Sequence, residues 1–295
     1  MKIGFVGLGR MGHNMVLNLV EHGHKAVVYN RSPEPVKKLA KRKDVAASFS
    51  LEEMVSKLGK QRVIWLMIKS GKPIDDLILE LIPLLGKGDI VIDGGNSYFK
   101  DSIRRYFDLK KRGIYFLDCG VSGGIEGARH GACMMVGGDR KIFRKVEKLF
   151  KDMSVKNGYG YMGKSGAGHF VKMVHNGIEY GMMGAIGEGV EAVKDYSQNI
   201  DLKEAVKVYA HGSIIESRLM KWLFDSFNKR GYLDSISGTV PKGETEEEME
   251  KLEKIAKMNI LREARKMRVE TRKKHSYAGK LIAAMRNQFG GHSVD

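Results

Sequence analysis

The chain has 295 residues with 42% hydrophobic content, which suffices for a large buried core and predicts about two domains. No apolar run approaches the roughly 18 residues that a membrane span requires, and no leader pattern opens the chain, so we expect a cytoplasmic protein without a membrane partner. The net charge of +16 admits a nucleic-acid partner, but acids are interleaved with the bases and no nucleic-acid motif is found. We therefore expect small anionic ligands and no nucleic acid.

The chain begins with a short apolar strand, KIGFV, that leads into a glycine-rich turn and then a helical pattern. The turn consists of Gly7, Leu8, Gly9, Arg10, Met11 and Gly12. G-x-G-x-x-G between a strand and a helix is typical of dinucleotide binding, since Gly7 allows the tight turn, Gly9 admits the pyrophosphate and Gly12 lets the helix pack on the strand. The helix N-terminus faces the phosphates, so we predict cofactor binding by all six residues.

The end of the second predicted strand, KAVVYN, distinguishes between the two nicotinamide cofactors. A carboxylate there would accept hydrogen bonds from the ribose 2′-hydroxyl of NAD, whereas this chain has Asn30, Arg31 and Ser32. A guanidinium and a hydroxyl suit the 2′-phosphate of NADP, so we predict NADP in preference to NAD. The alternative is that Arg31 only stacks on the adenine ring.

Further apolar strands alternate with helical patterns along the first half of the chain. They are RVIWLMI, DIVID, IYFLDCG, GACMMVGGD and KNGYGYMG. Such alternation indicates an α/β fold with a Rossmann-type, doubly wound and mostly parallel sheet, covered by helices on both faces. Ligand groups in such folds come from loops at the carboxyl ends of the strands, which here include Lys69, Asn96 and Ser122.

Beyond Gly163 only helical patterns remain. We predict a Rossmann-type domain over residues 1–165 and an all-α domain over residues 166–295. Cys119 and Cys133 form no C-x-x-C pair and no cluster with histidines. We therefore expect neither a disulfide nor a metal site, and we interpret both cysteines as buried small hydrophobic residues.

The stretch from Gly166 to Asp195 is predicted to form one long helix that is apolar or small nearly all round, and therefore buried. Four polar residues interrupt it: Lys172, His175, Asn176 and Glu179. Seven residues at about 100° each bring Glu179 to within about 20° of Lys172, so the four share one face. A structural ion pair is one explanation. An acid–base site acting on different atoms of one substrate is the other, and it also accounts for the imidazole and the amide.

Six motifs are specific enough to suggest a family. They are GLGRMG, NRS, IDGGNS, GVSGGIEGARHGACMMVGG, KMVHNGIEYGMM and RNQFGGH. Together they resemble the decarboxylating 6-phosphogluconate dehydrogenases in their shorter form, within the β-hydroxyacid dehydrogenase superfamily, and the likeness covers most of the chain. The segment KMVHNGIEY discriminates best, because relatives that act on 3-hydroxyisobutyrate usually lack its His and Glu.

The resemblance implies roles for the matching residues. Lys172 is the general base, and Glu179 is the acid that later protonates C1. Substrate contacts are implied for Asn96, Ser122, Gly123, Gly124, His175, Asn176, Tyr180, Arg272, Arg286 and His292, with Asn96 and Lys69 also at the cofactor. Because Arg286 and His292 match a pair that reaches the phosphate from a neighbouring subunit, the resemblance implies a homodimer or a dimer of dimers.

Agreement with the family fails between about 234 and 270, where SISGTVPKGETEEEMEKL replaces a Gly-rich stretch with a basic residue before Trp-Thr. Whether Lys242 substitutes for that basic anchor stays open. The resemblance implies oxidative decarboxylation of 6-phosphogluconate to ribulose 5-phosphate and CO2 with NADP, in the pentose phosphate pathway and gluconate utilisation. The alternatives are a non-decarboxylating dehydrogenase or reductase for another small hydroxy acid, and a non-catalytic nucleotide or nucleic-acid binder that only the net charge favours.

Overall fold

The computed structural model describes residues 1–196, 198–243 and 245–294. The chain divides into two compact units, Met1–Lys172 and Met173–Asp295. The domain boundary that we predict between residues 165 and 166 lies just before a long helix, Ala167–Asp195, which continues from the first unit into the second.

A single sheet forms the centre of the first unit. Its strands are β1 Lys2–Val6, β2 Lys25–Tyr29, β3 Val45–Ala47, β4 Val63–Leu66, β5 Ile90–Asp93, β6 Tyr115–Ser122, β7 Ala132–Gly138 and β8 Ser154–Gly163. They lie in the order β3-β2-β1-β4-β5-β6-β7-β8, and of these neighbours only β6 and β7 are antiparallel. The order reverses between β1 and β4, which is where doubly wound sheets bind ligands. The predicted Rossmann-type, mostly parallel sheet is confirmed.

Helices cover both faces of this sheet. They are α1 Arg10–Glu21, α2 Pro33–Leu39, α3 Leu51–Ser56, α4 Lys72–Leu81 with a 3-10 turn at Ile82–Leu84, α5 Phe99–Lys110, α6 Gly124–His130 and α7 Arg140–Met153. The first unit has two apolar cores, and alternate residues of β4 lie in different ones. Trp65 lies in one core, and Ile64 and Leu66 lie in the other. Such alternation follows from the two-residue period of a strand.

Four short elements of the first unit were absent from the sequence-based prediction: β3, α2, α3 and α6. Each has seven residues or fewer, too short for a clear apolar period. The sequence did contain a local signal for the start of α3, because Glu53 follows Ser50 by three residues. In the structure the Ser50 hydroxyl accepts a hydrogen bond from the Glu53 amide at 3.1 Å. Ser followed three residues later by Glu is the sequence signature of such a cap.

The second unit is helical, as predicted. Its helices are α8 Ala167–Asp195, which begins in the first unit, α9 Leu202–Tyr209, α10 Arg218–Asn228, α11 Glu246–Ile255, α12 Asn259–Thr271 and α13 Tyr277–Gly290. Leu223, Leu281 and Ile282 lie fully buried where α10 and α13 pack together. None of the helices in the described ranges combines the length and apolar character that a membrane crossing needs.

Two expectations about burial were wrong. Cys133 is exposed, because it lies near the start of β7 with its side chain away from the apolar core, whereas Cys119 is buried as expected. Helix α8 is not buried all round: Ile178 is 54% exposed and Met182 is 40% exposed. Hydrophobicity alone does not tell whether an apolar side chain packs within its own chain, so α8 retains an exposed apolar edge.

Candidate active site

The glycine turn between β1 and α1 leaves an opening at the N-terminus of α1. Gly7 has φ +95°, and a Cβ there would lie 2.3 Å from the Met67 carbonyl oxygen. A Cβ on Gly12 would lie 2.0 Å from the Gly7 carbonyl oxygen. At Gly9, by contrast, a Cβ would meet no atom within 4 Å. This open space beside the helix N-terminus fits a pyrophosphate that approaches the backbone closely.

Asn30 ties the end of β2 to this turn. Its side-chain oxygen accepts a hydrogen bond from the Leu8 amide at 2.9 Å, and its side-chain nitrogen donates to the Ser32 carbonyl at 3.0 Å. The Arg31 and Ser32 side chains are both exposed next to it. Asn30 therefore holds the turn in shape, and Arg31 and Ser32 are the groups that can reach a 2′-phosphate.

The loop after β5 is held by a buried ion pair. Asp93 accepts hydrogen bonds from the Gly95 amide at 3.1 Å and the Ser97 hydroxyl at 2.7 Å. Arg105, which is 2% exposed, contacts the same carboxylate at 3.2 Å. These contacts fix the backbone that carries Asn96, whose side chain is half-buried. Lys69, by contrast, is exposed in the loop after β4.

Strand β6 anchors the first turns of α8 and so positions Lys172. The buried Asp118 carboxylate accepts hydrogen bonds from the Gly166 amide at 2.7 Å and the His169 amide at 3.0 Å, which caps the helix. A Cβ on Gly120 would lie 2.3 Å from the Lys172 Cβ. Glycine at this position therefore lets the helix approach the strand closely, and Lys172 lies against β6.

The segment predicted as a loop at Ser122 is partly strand. Asp93 of β5 pairs with Asp118, and β6 continues for four more residues to Ser122, which pairs with Cys133. At about 3.3 Å per residue, Ser122 lies roughly 13 Å beyond the end of β5. Gly123 and Gly124 then turn the chain into α6 with φ +112° and +64°. The antiparallel pairing with β7 supports this extension.

Within the second unit, His175 contacts two of the other predicted polar residues of α8. The His175 Nδ1 lies 3.2 Å from the Asn176 side-chain oxygen and 3.9 Å from the Glu179 carboxylate. The Asn176 side-chain nitrogen donates to Glu248 at 3.5 Å. Lys172 precedes His175 by one turn of the same helix. An amine, an imidazole, an amide and a carboxylate thus follow one another on one face of α8.

Tyr180, one residue beyond Glu179, lies in a buried arginine environment. Its hydroxyl shares a hydrogen bond of 2.9 Å with the Thr245 hydroxyl, and the Arg268 guanidinium stacks 3.4 Å above its ring. Arg268 is 3% exposed, and its Nε has no hydrogen-bond partner among the described residues. Burial, assisted by repulsion from Arg286, lowers the pKa of Arg268 to about 10, against attraction from Tyr180 and Glu179. Arg268 therefore remains charged at neutral pH.

The two arginines that the resemblance assigns to the phosphate differ in their partners. Arg272 forms a two-pronged ion pair with Glu246, whose hydrogen bonds raise the pKa of the arginine. Arg286 is 5% exposed and donates to the Pro241 carbonyl at 2.8 Å, and burial lowers its pKa. Arg286 forms no ion pair with a carboxylate in the described ranges. The positive charge of Arg286 is therefore less neutralised by protein groups than that of Arg272.

The remaining candidates of the C-terminal part lie nearer the surface. The Lys242 side chain is 60% exposed and lies 3.5 Å from Glu247. Helix α13 continues to Gly290 and so includes Arg286. His292 follows this helix, and its ring lies 5.8 Å from that of Phe289.

Three residues of this environment escaped the sequence-based prediction: Thr245, Glu248 and Arg268. A signal existed for Arg268, because it falls in phase with Leu261 and Ala264 on the buried side of α12. An arginine within an apolar stripe is unusual enough to mark a candidate site. For Thr245 and Glu248 no local signal existed, since the acidic run there is also typical of an exposed helix start.

Residues 2–163 match the sequence model described as the NAD binding domain of 6-phosphogluconate dehydrogenase, and residues 168–198 match the C-terminal domain of that enzyme. The whole chain aligns at 41% identity with 99% of a Bacillus subtilis protein named "Putative 6-phosphogluconate dehydrogenase YqeC". The chain belongs to the 6-phosphogluconate dehydrogenase family. The resemblance inferred from the motifs is confirmed.

Other relatives in this family are longer. The human decarboxylating 6-phosphogluconate dehydrogenase is 46% identical over 202 residues, which are 65% of this chain and 42% of the human protein. The aligned segment therefore covers less than half of that relative. A solved 6-phosphogluconate dehydrogenase of Plasmodium falciparum, studied with its cofactor NADP+ and its substrate 6-phosphogluconate, superimposes with a TM-score of 0.82 at 29% identity, over 97% of this chain and 70% of that one.

A second solved structure shows how widely the fold is shared. The 3-hydroxyisobutyrate dehydrogenase of Mycobacterium tuberculosis superimposes with a TM-score of 0.75 at 20% identity, over 97% of this chain and 99% of that one. Family membership and the first-unit match support an oxidoreductase with a nicotinamide cofactor. The individual site residues stay predictions.

Proposed function

We propose that the protein catalyses the oxidative decarboxylation of 6-phosphogluconate to ribulose 5-phosphate and CO2 with NADP. The observation that carries the proposal is the polar face of α8. Lys172 is held against β6 there, and one turn further on His175 contacts both Asn176 and Glu179. A structural ion pair would not require the imidazole and the amide between the two charged groups.

The proposed chemistry assigns one proton transfer to each end of this face. The Lys172 amine takes the proton of the substrate 3-hydroxyl. NADP+, when held at the glycine turn, would supply the acceptor for the hydride that leaves C3. The resulting Lys172 ammonium polarises the new ketone oxygen, which stabilises the charge that develops as CO2 leaves. Glu179 then donates a proton to C1 of the enediol, and the amides after Ser122 hold the carboxylate before it departs.

A buried cationic cluster supports a sugar phosphate as the substrate. Arg268 and Arg286 are both buried, and neither forms an ion pair with a carboxylate in the parts of the chain that the structure describes. Burying such charges is costly, so an anionic ligand is the group that offsets this cost. We assign the phosphate to these two arginines, with Tyr180 beside them and Arg272 bound to Glu246 at the border of the cluster.

A second candidate function is a non-decarboxylating dehydrogenase or reductase for another small hydroxy acid. It is favoured by the acidic segment that replaces the basic anchor of the family. Glu246 is 6% exposed and neutralises Arg272, while Glu248 is 9% exposed and faces Asn176. Carboxylates here reduce the positive charge available to a phosphate, which suits a less highly charged acid.

One assay distinguishes these candidates. The protein is incubated with 6-phosphogluconate and NADP, while NADPH absorbance and released CO2 are followed together. Equal amounts of NADPH and CO2 support oxidative decarboxylation. NADPH without CO2 favours the second candidate, and the absence of both with pure, folded protein contradicts the proposed substrate.

Replacing Arg31 by Asp is expected to shift the cofactor preference from NADP towards NAD. Loss of a charge-assisted contact to the 2′-phosphate should cost about 1.5 to 3 kcal/mol, or roughly 10- to 150-fold in NADP affinity. Lys151→Asp makes the same charge change at the exposed end of α7 and serves as the control. Equal affinity of the unmodified protein for NAD and NADP, measured by titration calorimetry, would show that Arg31 does not bind the phosphate.

We also propose that the active form is at least a dimer. The exposed apolar edge of α8, which includes Ile178 and Met182, provides a surface that a second copy can cover. His292, beyond the end of α13, is the residue that we assign to the neighbouring site. Arg286 is assigned to the site of its own chain, because it is buried against Pro241 there.

Mixing two inactive variants tests these assignments. A His292→Ala subunit mixed with a Lys172→Met subunit should regain activity, because one site of the mixed dimer then carries both lesions and the other site is whole. An Arg286→Met subunit mixed with Lys172→Met should regain none, because each site keeps one lesion. The opposite pattern, with mixed dimers verified by mass spectrometry, would reverse the two assignments.

A further inference from the structure

Glu248 is a carboxylate that is buried at the start of α11. It belongs to the acidic first turn of α11, together with Glu246 and Glu247. Acidic residues are favourable at a helix N-terminus, and the Glu247 side chain fulfils that role while 70% exposed. Glu248 is only 9% exposed, and burial of a carboxylate costs free energy. Its position therefore needs an explanation beyond the helix dipole.

Burial brings the Glu248 carboxylate to the Asn176 side chain, and this contact determines which end of the Asn176 amide faces His175. An ionised carboxylate only accepts, so Asn176 presents its NH2 group to Glu248, at 3.5 Å. The amide oxygen of Asn176 then faces the His175 Nδ1, at 3.2 Å. A carbonyl oxygen also only accepts, so Nδ1 must carry a hydrogen. In the neutral imidazole the lone pair is then on Nε2.

We propose that Glu248 is a positioning residue that fixes the tautomer of His175 through Asn176. A lone pair on Nε2 accepts and does not donate, so a substrate group that binds His175 at that nitrogen is a hydroxyl donor. The substrate half of this inference rests on the proposed function, whereas the tautomer does not. Glu248 lies outside residues 168–198, the part of the second unit that matches the family's C-terminal domain.

A second carboxylate acts on the same ring. Glu179 lies 3.9 Å from the His175 Nδ1, which is too far for a hydrogen bond but close enough to attract a proton to that nitrogen. The two influences are separable because they come from different elements, Glu179 from α8 itself and Glu248 from α11. Replacing each in turn shows which of them sets the tautomer.

Nitrogen-15 NMR of the histidine side chains tests the tautomer without any turnover. The His175 signals are assigned by their loss in His175→Ala and are recorded at a pH where the ring is neutral. We expect the Nδ1–H form in the unmodified protein and in Glu179→Gln, and a shift towards Nε2–H in Glu248→Leu. Glu247→Leu removes the same charge from the same helical turn and should change nothing, and Glu248→Gln, which keeps an accepting oxygen, should largely restore the Nδ1–H form.

A double-mutant cycle tests the consequence for the substrate. Glu248→Leu should lower kcat/KM for 6-phosphogluconate on the order of 10- to 100-fold, with unchanged NADP affinity and a normal unfolding temperature. In a His175→Ala background the same change should have almost no further effect, because the two residues act as one unit. An Nε2–H tautomer in the unmodified protein, a tautomer that follows Glu179 instead, or additive effects in the cycle would each overturn the proposal.

Discussion

Replacing Lys172 by Met should abolish formation of NADPH from 6-phosphogluconate while the protein still folds and binds NADP. A positioned general base contributes about 100- to 10,000-fold, and the loss of the proton donor for the ketone adds to this. Met keeps most of the length and apolar character of the lysine side chain, so the close approach of α8 to Gly120 is retained. Absorbance at the NADPH band in single-turnover mixing measures the effect directly.

The matched control is Lys194→Met, which makes the same charge change near the exposed end of the same helix. That variant should retain normal turnover. Glu179→Gln should show a third behaviour, with a rapid first turnover of NADPH followed by slow steady-state turnover, because only the later protonation at C1 is impaired. Near-normal turnover in Lys172→Met would refute the mechanism. The polar face of α8 would then be explained as a structural ion pair.

The fold was predictable from the sequence wherever a period or a motif was long enough. The glycine turn predicted β1 and α1, and the alternation of apolar strands with helical patterns predicted a doubly wound sheet. The short elements β3 and α6 were not predictable, because three to seven residues carry too little periodicity to compete with turn chemistry. Strand β3 is placed by its pairing with β2, and α6 by its contacts with α1 and β7.

Which candidate-site residues lie together was predictable only where they share one helix. Lys172 and Glu179 could be placed on a common face from their spacing alone. Arg268 and Glu248 could not, since their relation to Tyr180 and Asn176 depends on how α11 and α12 pack beside α8. The exposure of Ile178 was missed for the same kind of reason, because helical spacing does not tell which apolar residues their own chain covers.

Replacing Arg268 by Met should weaken binding of the sugar phosphate strongly while leaving the fold as stable as before, or more so. Its guanidinium is buried, stacked on Tyr180, and without an ion-pair partner among the described residues. An apolar side chain of similar length removes the cost of burying that charge, which favours the folded state. Removing one partner of a buried charged contact to the phosphate costs about 2 to 5 kcal/mol, so KM should rise by roughly 30-fold or more.

Arg265 on the same helix provides the opposite case. It pairs with Glu250 at 2.7 Å and Glu253 at 2.8 Å, and its side chain is 18% exposed. Arg265→Met removes the partner of Glu250 and leaves Glu253 only its 3.9 Å contact with Arg262. It should lower the free energy of unfolding by about 1 to 3 kcal/mol, with KM for 6-phosphogluconate unchanged. Urea unfolding and steady-state kinetics on the two variants thus give opposite patterns. A loss of stability in Arg268→Met with a normal KM would show that this arginine supports the helix packing and does not bind the phosphate.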